Sequence, residues 1–142
     1  MAMQAMLGPV VALVMWSMII WLWMYVTRIP AMQRAKIDIK NLVGGKGSDL
    51  DQVLPPQIQW KAHNYNHLME QPTLFYAIAI TLALVGAASP AVVALAWSYV
   101  ALRVVHSLVQ VTVNRIAVRF ALFALSSLAL IALTIAAALA VF

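Results

Sequence analysis

Polar side chains recur at helical spacing in a segment that is otherwise apolar. Tyr99, Arg103, His106, Gln110 and Asn114 follow one another in steps of four, three, four and four residues. At about 100° per residue they fall within an arc of about 80° on one face of a helix. A charge in a membrane span must face protein or a water-filled cavity, because facing lipid costs several kcal/mol. The pattern therefore predicts a polar, functional site along half of this helix.

A second polar face stands at the start of the preceding apolar segment. Its members lie within an arc of about 100°: His63, Asn66, His67 and Glu70. Glu70 is the only acidic residue in any apolar segment. Its expected partner is Arg103, or one of Arg115 and Arg119. Pro72 follows closely and is expected either to start a new helix or to kink a continuous one.

Three of these side chains have a spacing that suits metal ligands. His63, His67 and Glu70 stand at i, i+4 and i+7. The order differs from the HExxH pattern and no second carboxylate lies nearby, so solvated histidines are the preferred interpretation and no metal site is predicted. Two histidines on different helices would suit a b-type haem, an alternative that Soret absorbance would test. The chain has no Cys, so any thiol chemistry must use a thiol of the substrate.

The composition is that of an integral membrane protein. Of the 142 residues, 65% are hydrophobic and 9% are charged, and the mean hydropathy is +0.93. A soluble domain of this length needs about a quarter charged residues to cover its surface. The formal net charge of +5 does not predict nucleic-acid binding, because the basic residues are few and lie beside apolar segments.

Four apolar segments are long enough to cross a bilayer, which needs about 20 residues. They cover residues 8–26, 66–88, 91–113 and 120–142, with a polar connection at 28–61. Ser89-Pro90 leaves only a short turn between the second and third segments, which must form an antiparallel hairpin. We predict an all-α four-helix membrane bundle, a single domain over residues 1–142. Its first helix is expected to be retained, since no cleavage motif follows it.

The basic residues predict the orientation of the bundle. All Lys and Arg outside the apolar segments lie in the first and third connections. By the positive-inside rule these connections are cytoplasmic and both termini face outward. The compact chain and its short connections favour a bacterial inner membrane.

Two motifs give the chain a resemblance to a known family. The motifs are His67–Tyr76 (HLMEQPTLFY) and Tyr99–His106 (YVALRVVH), the latter followed by Asn114-Arg115 and Arg119. Together with the four segments and the polar first connection, they resemble the MAPEG family, the membrane-associated proteins in eicosanoid and glutathione metabolism. The resemblance covers nearly the whole chain. His67 and His106 stand where many glutathione-using members have Asn and Tyr.

The resemblance implies an assembly and an activity. The assembly is a homotrimer of four-helix subunits, with sites between neighbours that open toward the cytoplasm. The activity is that of a glutathione-dependent transferase or peroxidase acting on a lipophilic electrophile. Arg115 or Arg119 would stabilise the glutathione thiolate. The residues expected to bind glutathione are His63, Asn66, His67, Glu70, Tyr99, Arg103, His106 and Gln110.

Other functions fit the same polar faces. A non-catalytic member would use them only for oligomer assembly or partner binding, and a dry Glu70–Arg103 contact without a cavity would indicate this. A small cation-coupled exporter would use Glu70 as its proton carrier, although Arg103 and the basic flanks argue against cationic substrates. Transport into vesicles that depends on pH would decide that alternative.

Overall fold

The computed structural model describes residues 2–142, which form an all-α protein. Its α-helices are α1 (Ala2–Arg34), α2 (Pro56–Leu68), α3 (Gln71–Leu84), α4 (Pro90–Val111) and α5 (Ile116–Val141), with a 3-10 helix at Gly47–Gln52. Helices α1, α4 and α5 are long and apolar enough to cross a membrane. The prediction of an all-helical membrane protein is therefore confirmed.

Helix α1 is longer than the apolar segment that predicts it. It has 33 residues and contains Pro9 and Pro30, so it is about 50 Å long at a rise of about 1.5 Å per residue. The predicted segment 8–26 lies inside it. Its last two turns add Arg28 and Arg34, which places basic side chains beyond the apolar part of the helix.

The second predicted segment is divided between two helices. Helix α2 ends at Leu68 and α3 begins at Gln71, with Met69 and Glu70 between them. Pro72 stands in the first turn of α3, where its missing N–H costs no hydrogen bond. Of the two roles expected for this proline, the structure therefore shows the start of a new helix. Helix α3 has 14 residues, or about 21 Å, and is alone shorter than a hydrocarbon core of about 30 Å.

A short turn joins α3 to α4. Gly86 takes a left-handed conformation there, with φ 73°, at no steric cost. Ser89 then caps α4, since its hydroxyl oxygen accepts a hydrogen bond from the backbone N–H of Val92 at 3.3 Å. Helices α1 and α5 both pack against α3 and against α4. Helices α3 and α4 contact each other through the rings of Phe75 and Tyr99, which stack with centroids 4.5 Å apart.

Helix α4 ends at Val111, which corrects one part of the predicted polar face. Asn114 lies in the turn to α5 with φ 50°, a left-handed conformation that Asn tolerates better than most residues. Its backbone N–H donates to the carbonyl of Val109 at 2.7 Å. The rest of the face is buried on α4 and consists of Tyr99, Arg103, His106 and Gln110.

The core of the bundle has an apolar half and a polar half. The apolar half contains side chains with 0% exposure, namely Leu13, Ile20, Leu82 and Leu133. The polar half lies where α2 packs against α4, and its buried members include Asn64, Arg103, His106, Ser107 and Gln110. The candidate site therefore belongs to the half of the bundle that contains α2.

Candidate functional site

Arg103 stands at the centre of the polar half. It extends from α4 and is fully buried, with 0% of its surface exposed. Its Nη2 lies 2.7 Å from Nδ1 of His67, which belongs to the last turn of α2. Its Nε and Nη1 are also buried and have no hydrogen-bond partner among residues 2–142. Buried donors without partners are rare in proteins and call for a functional or structural explanation.

Two aromatic contacts fix the ring of His67. It stacks on His106 of α4 with centroids 4.8 Å apart and an angle of 14° between the planes. Phe123 of α5 meets it edge-on at 5.6 Å. The guanidinium carbon of Arg103 lies 5.9 Å from the centroid of the same Phe123 ring. The predicted polar faces of α2 and α4 therefore meet, and α5 supplies a third wall.

Farther into the bundle, a chain of hydrogen bonds ties three helices together. The hydroxyl of Tyr99 donates to Oε1 of Gln71 at 3.1 Å, and Nε2 of Gln71 donates to the hydroxyl of Ser127 at 2.9 Å. Gln71, Ser127 and Phe123 are absent from the predicted site. Two of them carry a signal in the sequence. Gln71 is a polar residue directly after the helix break, and Ser127 is a hydroxyl-bearing residue within an apolar segment.

On the other side of Arg103, the polar residues are buried and only partly paired. Nδ2 of Asn64 donates to the hydroxyl of Ser107 at 2.9 Å, which joins α2 to α4. Oδ1 of Asn64, Nδ1 of His106 and Oε1 of Gln110 are buried without partners in the described chain. The polar half is therefore a continuous region of incompletely satisfied groups and not a set of closed pairs.

A cavity of about 200 Å³ opens beside His67 and His106. Its lining combines two imidazoles and a guanidinium with apolar side chains, and consists of His67, His106, Ile116, Arg119, Phe120 and Phe123. Such a mixture can hold an anionic atom on one wall and an apolar group on the other. Three of the predicted site residues, His67, His106 and Arg119, therefore line an accessible space.

Arg115 and Arg119 have different environments. Arg119 is half-buried, lines the cavity and donates from Nη1 to Oδ1 of Asn114. Its Nε is buried without a partner in residues 2–142. Arg115 is exposed at the start of α5 and does not line the cavity. The left-handed turn at Asn114 therefore orients one of the two arginines toward the histidines.

The predicted Glu70–Arg103 ion pair is not formed. Glu70 is exposed in the break between α2 and α3, where its backbone takes φ −88° and ψ −100°. It makes no ion pair with any side chain in the described part of the molecule. The physical reason is the break itself, which turns this residue off the helical face that carries His67. Its side chain is exposed on the surface of the protein.

The two other predicted residues of α2 also lie outside the cavity. Nε2 of His63 contacts a carboxylate oxygen of Asp51 at 2.8 Å, and both side chains are partly exposed. Asn66 is exposed and lines a separate recess of about 390 Å³, together with Arg28 and Lys46. The predicted set of eight binding residues is therefore divided between the buried centre and the surface.

A hydrogen-bonded network fastens the first connection to α1 and α2. Gln59 accepts from Nη2 of Arg28 at 3.1 Å and donates from Nε2 to Asp51 at 2.6 Å. It also donates to the backbone carbonyl of Gly47 at 3.1 Å. The hydrogen bonds from Gln59 and His63 hold the pKa of Asp51 below its ordinary value. This network gives local order to the polar connection that the sequence predicts at residues 28–61.

The fold and the site together define a class of protein. It is an all-helical membrane protein with a cationic, histidine-lined cavity at one end of its bundle. A family model for the MAPEG family matches residues 6–139, and the chain belongs to that family. The predicted membership is thus confirmed. The family includes glutathione transferases and peroxidases as well as non-catalytic members. Comparisons with curated proteins and with solved structures found no match.

Proposed function

We propose that this protein is a glutathione-dependent transferase or peroxidase that acts on lipophilic electrophiles at the cytoplasmic side of a membrane. The observation that carries the proposal is the cavity in which Arg119, His67 and His106 face apolar side chains. A cationic wall favours the charged form of a bound thiol and so lowers its pKa. The chain has no Cys of its own, which leaves the thiol to the substrate.

Arg119 is the residue that we assign to the thiolate. Its half-buried guanidinium lines the cavity, whereas Arg115 is exposed and outside it. Water screens an exposed charge, so that Arg115 would act weakly on a sulfur atom in the cavity. Ile116, Phe120 and Phe123 would contact the electrophile, which reaches an embedded site by partitioning into the bilayer.

The same proposal includes the assembly and its orientation. The end of α2 together with α3 would form a membrane crossing, the second of four in chain order. Three subunits would form a homotrimer. Glu70 and Asn66 are exposed polar residues on α2 and beside it, where a neighbouring subunit would complete the glutathione site. The connections with basic residues would be cytoplasmic and both termini would face outward, in a bacterial inner membrane.

Glutathione binding to the detergent-solubilised protein tests this function. Calorimetry would measure affinity, and ultraviolet absorbance would follow the thiolate as the pH is raised. We expect saturable binding with a lowered thiol pKa. Arg119→Met should reduce the thiolate fraction at neutral pH by about tenfold, equivalent to about one pKa unit. The matched variant Arg115→Met should change it by less than about twofold. No binding at millimolar glutathione would overturn the proposal.

A non-catalytic role is the second candidate. The sign expected for it, a dry Glu70–Arg103 contact without a cavity, is absent from the described residues. What favours it instead is the exposed Glu70 carboxylate, which is available to bind a neighbour. In that case Glu70→Gln should weaken oligomer assembly, measured by the mass of the protein–detergent complex. Under the preferred function the same variant should assemble normally and bind glutathione more weakly.

A further inference from the structure

We infer that Arg103 acts through His67, by holding the imidazole in the tautomer that presents Nε2–H to a thiolate in the cavity. Arg103 is then a positioning residue, and His67 together with Arg119 contacts the sulfur atom. This inference rests on the proposed function for the identity of the anion. The tautomer itself is a property of the protein without ligand.

The hydrogen-bonding capacity of arginine determines the tautomer. A guanidinium has only donors, so Nδ1 of His67, at 2.7 Å from Nη2 of Arg103, must accept. An imidazole that accepts at Nδ1 without becoming a cation carries its proton on Nε2. His67 therefore offers a neutral N–H donor at the end of the ring that is not bonded to Arg103.

Arg103 itself is too deeply enclosed to be a ligand of the cavity. It has 0% exposure and does not belong to the cavity lining, whereas His67 does. The ring that it holds is also fixed from the sides, by the stacked His106 at 4.8 Å and by the edge contact with Phe123 at 5.6 Å. A donor with so little freedom loses little entropy when it binds a ligand.

The Nε2–H of His67 and the guanidinium of Arg119 then converge on one cavity. A thiol that enters it loses its proton to solvent, and the sulfur keeps the electron pair as a thiolate. Hydrogen bonds to an anion are about twice as strong as those between neutral groups. The neutral ring stabilises the anion without adding a second full charge next to Arg103. Two donors of different charge therefore share one sulfur.

The tautomer can be measured without any ligand. Protein labelled with ¹⁵N-histidine would be reconstituted in nanodiscs, and long-range proton–nitrogen correlations would report which ring nitrogen of each His is protonated. His67→Gln assigns the signal. We expect a single Nε2–H form for His67 in the unmodified protein and a mixture of tautomers in Arg103→Met. A protonated Nδ1, or a tautomer that Arg103→Met leaves unchanged, would overturn the inference.

Gln110→Met is the matched control for that measurement. Gln110 is buried on the same face of α4, and its replacement also removes a polar group from the core. The tautomer of His67 should stay the same in this variant. A mixture of tautomers here as well would mean that any loosening of the polar half releases the ring, and the specific role of Arg103 would fall.

The role at the sulfur atom is tested with two amide variants of His67. His67→Gln can place an amide N–H near the position of Nε2, whereas the shorter amide of His67→Asn reaches only the position of Nδ1, where its oxygen can accept from Arg103. We expect Gln to keep the lowered thiol pKa of bound glutathione within about threefold in thiolate fraction. Asn should lose about tenfold, equivalent to about one pKa unit. Equal values in the two variants would refute the contact with sulfur.

The two experiments separate the inference from the function on which it rests. If the unmodified protein fails to bind glutathione, the proposed function and the sulfur contact fall together, and the tautomer result still decides whether Arg103 positions His67. If glutathione binds and the tautomer is mixed, the function stands and the positioning role falls.

Discussion

Two histidines one turn apart on α2 have contrasting environments. His63 faces the first connection, where it contacts Asp51 with 43% of its side chain exposed. His67, one turn later, is enclosed by Arg103, His106 and Phe123. Both belong to the same predicted polar face. Helical spacing therefore selects a face, whereas the neighbouring helices determine which residues on that face are enclosed by other side chains.

The largest expected difference between the two histidines concerns stability. His67→Leu leaves the guanidinium of Arg103 buried without any hydrogen bond from the protein, so the free energy of unfolding should fall by about 3 kcal/mol. His63→Leu removes a partly exposed pair and should cost less than about 1 kcal/mol. Denaturant titration in mixed micelles would measure both. Equal losses would mean that the two histidines are not distinguished by burial.

A smaller effect is expected deeper in the buried region. Tyr99→Phe removes the hydrogen bond to Gln71 and should lower the free energy of unfolding by about 1 kcal/mol, measured by the same titration. Tyr25→Phe is the control, because Tyr25 is 38% exposed on α1. It should leave the stability unchanged within about 0.5 kcal/mol. A loss in the control as large as in Tyr99→Phe would show that the buried chain of hydrogen bonds adds nothing.

The smallest effect belongs to Asp51, the partner of the exposed His63, and depends on pH. Because hydrogen bonds hold the pKa of Asp51 below its ordinary value, its contribution is present above the unfolded pKa and is lost as the pH falls through the folded pKa. The Tm of Asp51→Asn should therefore lie slightly below that of the unmodified protein at pH about 7, and the two should converge as the pH falls through the folded pKa of Asp51. Thermal scans at neutral pH and across the acid range measure this difference. A gap that widens in acid would contradict the assigned sign.

Helical periodicity predicts the buried side chains of α4 because that helix is continuous. Tyr99, Arg103, His106 and Gln110 are all buried, as their common face requires. The same reasoning fails for Asn114, which lies beyond the end of the helix in a left-handed turn. It also fails for Glu70, which the break after α2 turns outward. Periodicity applies only while the helix continues, and the places where it stops depend on local backbone energetics.

The partners of the polar residues could not be predicted from spacing. Phe123 contacts both His67 and Arg103 from α5, yet in the sequence it is one aromatic residue in a long apolar run. Gln71 and Ser127 meet across the bundle although 56 residues separate them. Such contacts follow from the packing of α2, α3 and α5 around α4. Composition and basic residues indicate the membrane, but they carry no information on which helices become neighbours.

The interruption between α2 and α3 also changes the electrostatic field around Arg103. A continuous helix would carry its terminal partial charges far from this point. Because α2 ends at Leu68, its last carbonyl groups provide about half a negative charge in the turn that contains His67. Arg103, which forms no ion pair with a carboxylate in the described chain, is hydrogen-bonded to a side chain of that turn and so lies near the negative end of a helix dipole. The end of a helix backbone therefore contributes negative potential close to a buried cation.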